Sequence, residues 1–143
     1  DFKMYNHKGS WVYDAIDPEG AEFNRRSIYR TWARGNVHPL LAPLDCPDPS
    51  ASAPVRSITT TPLGALSMMN TSFVLRMSRK FADRLKAEAG NDINAQVKRG
   101  FELAFMREPK EEEKKLIEDF VKKNGLTALC RVLLNSNEFI YLN

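Results

Sequence analysis

From Pro62 to the end of the chain, apolar residues recur at steps of three and four, the spacing that puts them on one side of a helix. Thr59-Thr60-Thr61-Pro62 marks the start of this region. A threonine hydroxyl there can accept a free backbone N–H, and proline at the first helical position gives up no needed donor. Leu66, Met69 and Phe73 lead into Met77, Phe81 and Leu85, and Asn70-Thr71-Ser72 falls between them. That polar triplet predicts a short helix followed by a longer one ending near Gly90.

Asn91 or Asp92 can cap the next helix, whose stripe is Ile93, Val97, Phe101, Ala104 and Phe105, with Gly100 inside it. Pro109 stops that helix or starts its successor. Glu111, Glu112 and Glu113 then open a helix and Lys122 and Lys123 close it, as the helix dipole favours, before Gly125. Its acid-first pairs are Glu111/Lys115, Glu118/Lys122 and Asp119/Lys123, and Leu116, Ile117, Phe120 and Val121 should supply its core face. The last helix shows Leu126, Leu129, Cys130, Leu133 and Leu134 on one side. Asn135-Ser136-Asn137 breaks it before Phe139, Ile140 and Leu142, an apolar end that should dock.

The first 61 residues have a different texture. They hold six of the eight prolines, Pro18, Pro39, Pro43, Pro47, Pro49 and Pro54, and show few helical periods. The expected fold is therefore mainly α, with four or five packed helices, an irregular proline-rich N-terminal third and at most one short strand, around Ser27 to Arg30. Residues 1–143 read as a single domain or domain fragment, the irregular segment 1–61 packing on the helical part 62–143 because its own apolar residues are too sparse for a separate core.

Composition narrows the function classes. The chain has 143 residues, 43% apolar and 27% charged, with a mean hydropathy of −0.42, values that suit a folded, water-soluble domain. No apolar run approaches the roughly 18–20 residues that cross a bilayer, so no membrane span is expected. The net charge of +3 is small for a dedicated nucleic-acid binder, and no nucleic-acid partner is favoured. A chain opening on Asp1 reads as a processed product or a fragment. Cys46 and Cys130 stand too far apart for a CxxC redox motif, a zinc knuckle or haem attachment. Two thiols are favoured over one disulfide, because Cys130 lies in a leucine-rich stripe and Cys46 in a polar Asp-Pro loop.

The densest polar cluster is Asn24-Arg25-Arg26-Ser27-Ile28-Tyr29-Arg30. Arginine forks bind carboxylates or phosphates with two parallel bonds, so Arg25, Arg26, Arg30 and Arg56 with Asp45 and Asp48 form the candidate site. The favoured reading is structural: the three clustered arginines should be more buried than usual, and at least one should pair with Asp45 or Asp48. Asp45, Asp48 and His38 match no EF-hand, HExxH or glycine-loop spacing. No metal and no cofactor in this chain is expected, and catalytic residues stay unassigned. His7 reads as a surface residue. Trp11, Trp32, Tyr5, Tyr13 and Tyr29 read as filling for an irregular region rather than a stacking platform. On the longer helix, Arg76, Arg79, Lys80, Arg84 and Lys86, with Asp83 among them, form a solvated or partner face.

The order Phe23-Asn24-Arg25-Arg26-Ser27-Ile28-Tyr29-Arg30, Leu44-Asp45-Cys46-Pro47-Asp48-Pro49, Val55-Arg56, then Thr59 to Leu66 with Asn70, resembles the planctomycete-type domain of unknown function found C-terminal to planctomycete cytochrome c domains. The stretch from Leu129 to Asn143 resembles that family's closing segment, and the chain would correspond to the C-terminal part of the domain. Gly64 stands where the motif leads one to expect glutamine. The resemblance implies an exported protein, periplasmic or at the cell surface, often joined to a haem-binding cytochrome domain and a second uncharacterised domain, with polymer breakdown suspected from genomic company. It carries no assigned catalytic residues.

Three functional readings follow, in order. The first is a non-catalytic structural or interaction module completing a larger assembly, its partners being the rest of the parent protein or other chains, with a c-type cytochrome among those the resemblance implies. The second is part of a polysaccharide-acting or other hydrolytic enzyme, and the third an anion-binding surface on the Arg76 to Lys86 face.

Overall fold

The structure is a computed structural model that describes residues 2–5, 10–13, 26–29, 41–48, 51–55 and 61–141, the first two segments as backbone. The chain divides into two compact units, residues 1–67 and 68–143. In the first unit, strands β1 (Phe2–Tyr5) and β2 (Ser10–Tyr13) pair antiparallel, with Phe2 opposite Tyr13 and Tyr5 opposite Ser10. The strand expected at Ser27 to Arg30 is corrected: Ser27–Tyr29 is one 3₁₀ turn, closed by the Tyr29 N–H donating to the Arg26 carbonyl at 3.0 Å. A strand needs a neighbour for its backbone groups, and among the described residues the one ladder is β1 with β2. A second 3₁₀ turn spans Ala42–Leu44.

Helix α1 runs Pro62–Asn70 and α2 runs Ser72–Ala89, broken at Thr71 as the polar triplet predicts. Helices α3 (Ile93–Phe105), α4 (Glu111–Asn124), α5 (Leu126–Leu134) and the single turn α6 (Asn137–Ile140) complete a mainly helical chain. Asp92 provides the α3 cap, its carboxylate accepting the Asn94 and Ala95 N–H groups at 3.2 Å each. A cap of this kind stabilises a helix by about 1 kcal/mol. Among the described residues, no helix is long and apolar enough to cross a membrane.

The core of the second unit is Ala82 and Leu85 from α2, Val97 and Phe101 from α3, Val121 from α4, and Leu126, Leu129, Cys130 and Leu133 from α5. The α5 stripe is buried where the periodicity put it. The expected stripe is displaced at its N-terminal end. Leu66 and Met69 of α1 and Phe73 of α2 are exposed, whereas Phe81 and Leu85 do pack in the core, and the buried line on α2 is Val74, Ser78, Ala82 and Leu85. Small side chains there let α5 approach closely, and the Ser78 hydroxyl donates to its own helix at the Val74 carbonyl, 2.8 Å away, so burying it leaves no donor unmet. Gly100 on α3 is tight for the same reason: a Cβ there would stand 3.3 Å from the Leu133 side chain and 3.4 Å from that of Leu85. Leu116, expected in the core face of α4, is 73% exposed. Ile117, Phe120 and Val121 already fill the arc of α4 that meets the core, and Leu116 lies past its edge.

Candidate functional site

The candidate cluster is described at three of its six residues; Arg25, Arg30 and Arg56, like His7, Trp32 and His38, lie outside the described ones. The burial expected of Arg26 is corrected: it is exposed at the start of a lone 3₁₀ turn. Asp45 and Asp48 flank the end of the second turn. There the Leu41 carbonyl accepts the N–H of Leu44 at 3.1 Å and of Cys46 at 3.2 Å, which requires Asp45 to adopt a left-handed conformation (φ 56°, ψ 32°). Aspartate tolerates that region better than most residues. Asp45 and Cys46 are half-buried and Asp48 is exposed, and neither carboxylate is without a partner.

This turn abuts the first turn of α1. The Thr61 hydroxyl accepts the Gly64 N–H at 3.0 Å, the cap expected beside Pro62. Gly64 is buried, and a Cβ on it would stand 2.9 Å from the Pro43 carbonyl oxygen. That backbone oxygen cannot move aside as a flexible side chain would. Glycine in place of the expected glutamine is therefore a packing requirement here, and it joins the Asp45 turn to α1.

A second polar centre escaped the sequence reading. Arg107, in the α3–α4 connection, directs all five of its N–H groups at acceptors of this chain. Its Nε donates to Glu138 at 2.7 Å and its Nη2 to Glu138 and Glu113 at 3.0 Å each. Its Nη1 donates to Glu113 at 2.9 Å and to the Glu108 carbonyl at 3.2 Å. The guanidinium also lies over the rings of Phe101 (5.2 Å) and Phe105 (5.6 Å), which meet edge to face. Glu113 accepts the Lys110 N–H at 2.7 Å as well, closing the first turn of α4. Arg107 and that N–H hold the Glu113 carboxyl down at about 2, and Arg107 lowers Glu138. One side chain thus ties the end of α3, the start of α4 and α6 together. Nothing in the local sequence signals this, because Glu138 lies 31 residues away.

A similar arrangement joins α2 to α3. Glu88 accepts from Arg84 at 2.6 Å and Arg99 at 2.7 Å, which lower its pKa in that order, and Arg99 also reaches Glu102 at 3.1 Å. Arg131 of α5 donates to the Met69 carbonyl at 2.7 Å and to the Asn70 side chain at 2.9 Å, closing the end of α1. On α4, Glu111 pairs with Lys114 rather than Lys115, and Glu118 with Lys122.

Both cysteines are free thiols. Cys130 is fully buried, and burial pushes its thiol up to about 12, so it is packing rather than a nucleophile. Among the described residues, no three His, Cys, Asp or Glu side chains are grouped to hold a metal ion. The outward face of α2 differs from these closed centres. Arg79, Lys80 and Lys86 are exposed and enter no ion pair among the described residues, while Arg76 lies over the Phe73 ring at 5.6 Å.

Comparison with known families gives one match, to the family described as PSD1, protein of unknown function (DUF1553), over residues 2–121. The chain belongs to this family. No curated protein and no solved structure matches it. In the DUF1553 match lie β1, β2, the Asp45 turn, the Gly64 contact and helices α1 to α3, and it ends at Val121 in α4. The segment from Leu129 to Asn143, read above as a closing motif, falls beyond the matched range.

Proposed function

We propose that this DUF1553 chain is a non-catalytic structural and interaction module of a larger exported assembly, working by contact rather than by chemistry. The observation that carries the reading is the Arg107 centre, where every guanidinium donor meets an internal acceptor. A group that acts on substrate needs a donor or acceptor aimed at the place the substrate will occupy, and here the charges close helix junctions instead. The Glu88 centre and the Arg131 contact do the same work at two further junctions. The resemblance to the planctomycete-type domain supports a place outside the cytoplasm, in the periplasm or at the cell surface, beside a c-type cytochrome. The resemblance implies a haem-binding cytochrome domain, and any haem would be carried there.

Native mass spectrometry of the assembly purified from its source tests this directly. The expected result is a complex holding this chain, at least one further chain and a haem mass on that partner. A monomeric chain that hydrolyses polysaccharide would overturn the reading in favour of the enzymatic alternative.

A further inference from the structure

Helix α2 carries five cations, Arg76, Arg79, Lys80, Arg84 and Lys86, against two carboxylates, Asp83 and Glu88. Helix α4 sets five carboxylates, Glu111, Glu112, Glu113, Glu118 and Asp119, against four lysines. On α2 the one acid in contact, Glu88, is held by Arg84 and Arg99, which leaves Arg79, Lys80 and Lys86 without a counter-charge among the described residues. The excess on α2 is therefore positive, with Lys86 at the edge nearest α5 and Lys80 further out. At its N-terminal end α2 presents Phe73, 37% exposed beneath Arg76 and in line with Lys80 two turns on. From Phe73 to Lys86 the helix rise covers roughly 20 Å, the length of a docked helix.

Two features decide which anion fits. Asp83 sits among the cations and would repel a uniformly charged polymer, whereas a protein can meet it with a lysine. An exposed aromatic and an arginine unpaired among the described residues, Phe73 and Arg79 on one helix, are of the kind that protein–protein contact centres use. We propose that the outward face of α2 docks an acidic protein segment, rich in Asp and Glu and carrying an apolar side chain over Phe73. The proposal rests on the interaction-module reading and names the surface and the partner's chemistry.

Zero-length carbodiimide coupling of the native assembly tests it, because that reagent joins a lysine amine to a carboxylate in contact with it. Lys80 and Lys86 should be joined to Asp or Glu of another chain. Joining of the exposed α4 lysines, Lys115 and Lys123, to a partner while Lys80 and Lys86 remain uncoupled would overturn the assignment of the face and leave the module reading standing. No coupling to any other chain would overturn both. In the full chain, R79E/K80E should weaken the complex about tenfold at low salt, and Phe73→Ala should weaken it further at any salt. Retention on heparin that R79E/K80E abolishes and Phe73→Ala leaves unchanged, with no coupling at Lys80 or Lys86, would assign the face to a polyanion and overturn the proposal.

Discussion

The α3–α4–α6 junction and the outward face of α2 use the same residue type to opposite ends. At the junction one arginine faces two glutamates and two aromatic rings, and each of its donors has a partner within 3.2 Å. On α2, Arg79, Lys80 and Lys86 stand in water with no carboxylate in contact among the described residues. The denser run of charge is thus the open one. What separates the two is long-range chain geometry: Glu138 comes back to Arg107 across 31 residues, and among the described residues no carboxylate comes back to Arg79. Charge density along a sequence shows where cations are, while the folded acids decide whether they serve the fold or remain available to a partner.

The contrast is most sharply tested by removing Arg107. Arg107→Ala leaves Glu113 and Glu138 close together without their shared cation and uncovers Phe101 and Phe105. A partly exposed centre is weakened by solvent screening, so the expected loss is about 2 kcal/mol rather than the larger cost of breaking a fully buried pair. Urea unfolding of the two chains measures it. A loss no larger than that of an α2 surface substitution would erase the difference between the regions.

Acid should dissolve the same distinction gradually. The folded Glu113 carboxyl titrates at about 2, below its ordinary value of 4.5, and Glu138 is lowered too. A depressed carboxylate stabilises the fold fully above its unfolded pKa and loses that contribution as pH falls through the folded one. The stability gap between the natural chain and Arg107→Ala should therefore narrow from about pH 4.5 down towards pH 2 and stay constant between pH 6 and 8. Parallel unfolding curves at stepped pH check it; a gap unchanged at pH 2 would mean that Arg107 acts through its aromatic contacts instead.

Local patterns carried much of the helical unit. The break at Thr71, the Asp92 cap, the Thr61 and Pro62 start and the leucine stripe of α5 depend on neighbours within four residues, and the sequence shows such neighbours directly. The misplaced N-terminal part of the stripe has a physical cause: large apolar residues at Leu66 and Met69 on α1 and Phe73 on α2 attract attention, yet close helix packing on α2 selects Ser78 and Ala82. The β1–β2 hairpin was missed although Phe2–Tyr5 and Ser10–Tyr13 are aromatic-rich runs separated by four residues that include Gly9, a spacing that suits a hairpin. Of the candidate site, Asp45 and Asp48 were named from residue type alone. The Gly64 contact with Pro43 and the Arg107 centre were not, because each joins residues whose approach only the folded chain determines.

The smallest expected effect lies on α2, and it is the one that separates a surface kept for a partner from one kept for the fold. Arg79→Ala and Lys80→Ala remove exposed side chains that make no ion pair among the described residues, on a helix whose inner line of Val74, Ser78, Ala82 and Leu85 is untouched. Each should change the stability of the isolated chain by less than about 0.5 kcal/mol. Relief of like-charge repulsion among Arg76, Arg79 and Lys80, three and four residues apart, favours a slight gain at low salt that fades as salt screens it. Thermal unfolding in low and high salt measures both. A marked loss of stability on either substitution would show that these cations hold the fold after all, placing α2 beside the Arg107 junction and removing the difference from which its partner face was argued.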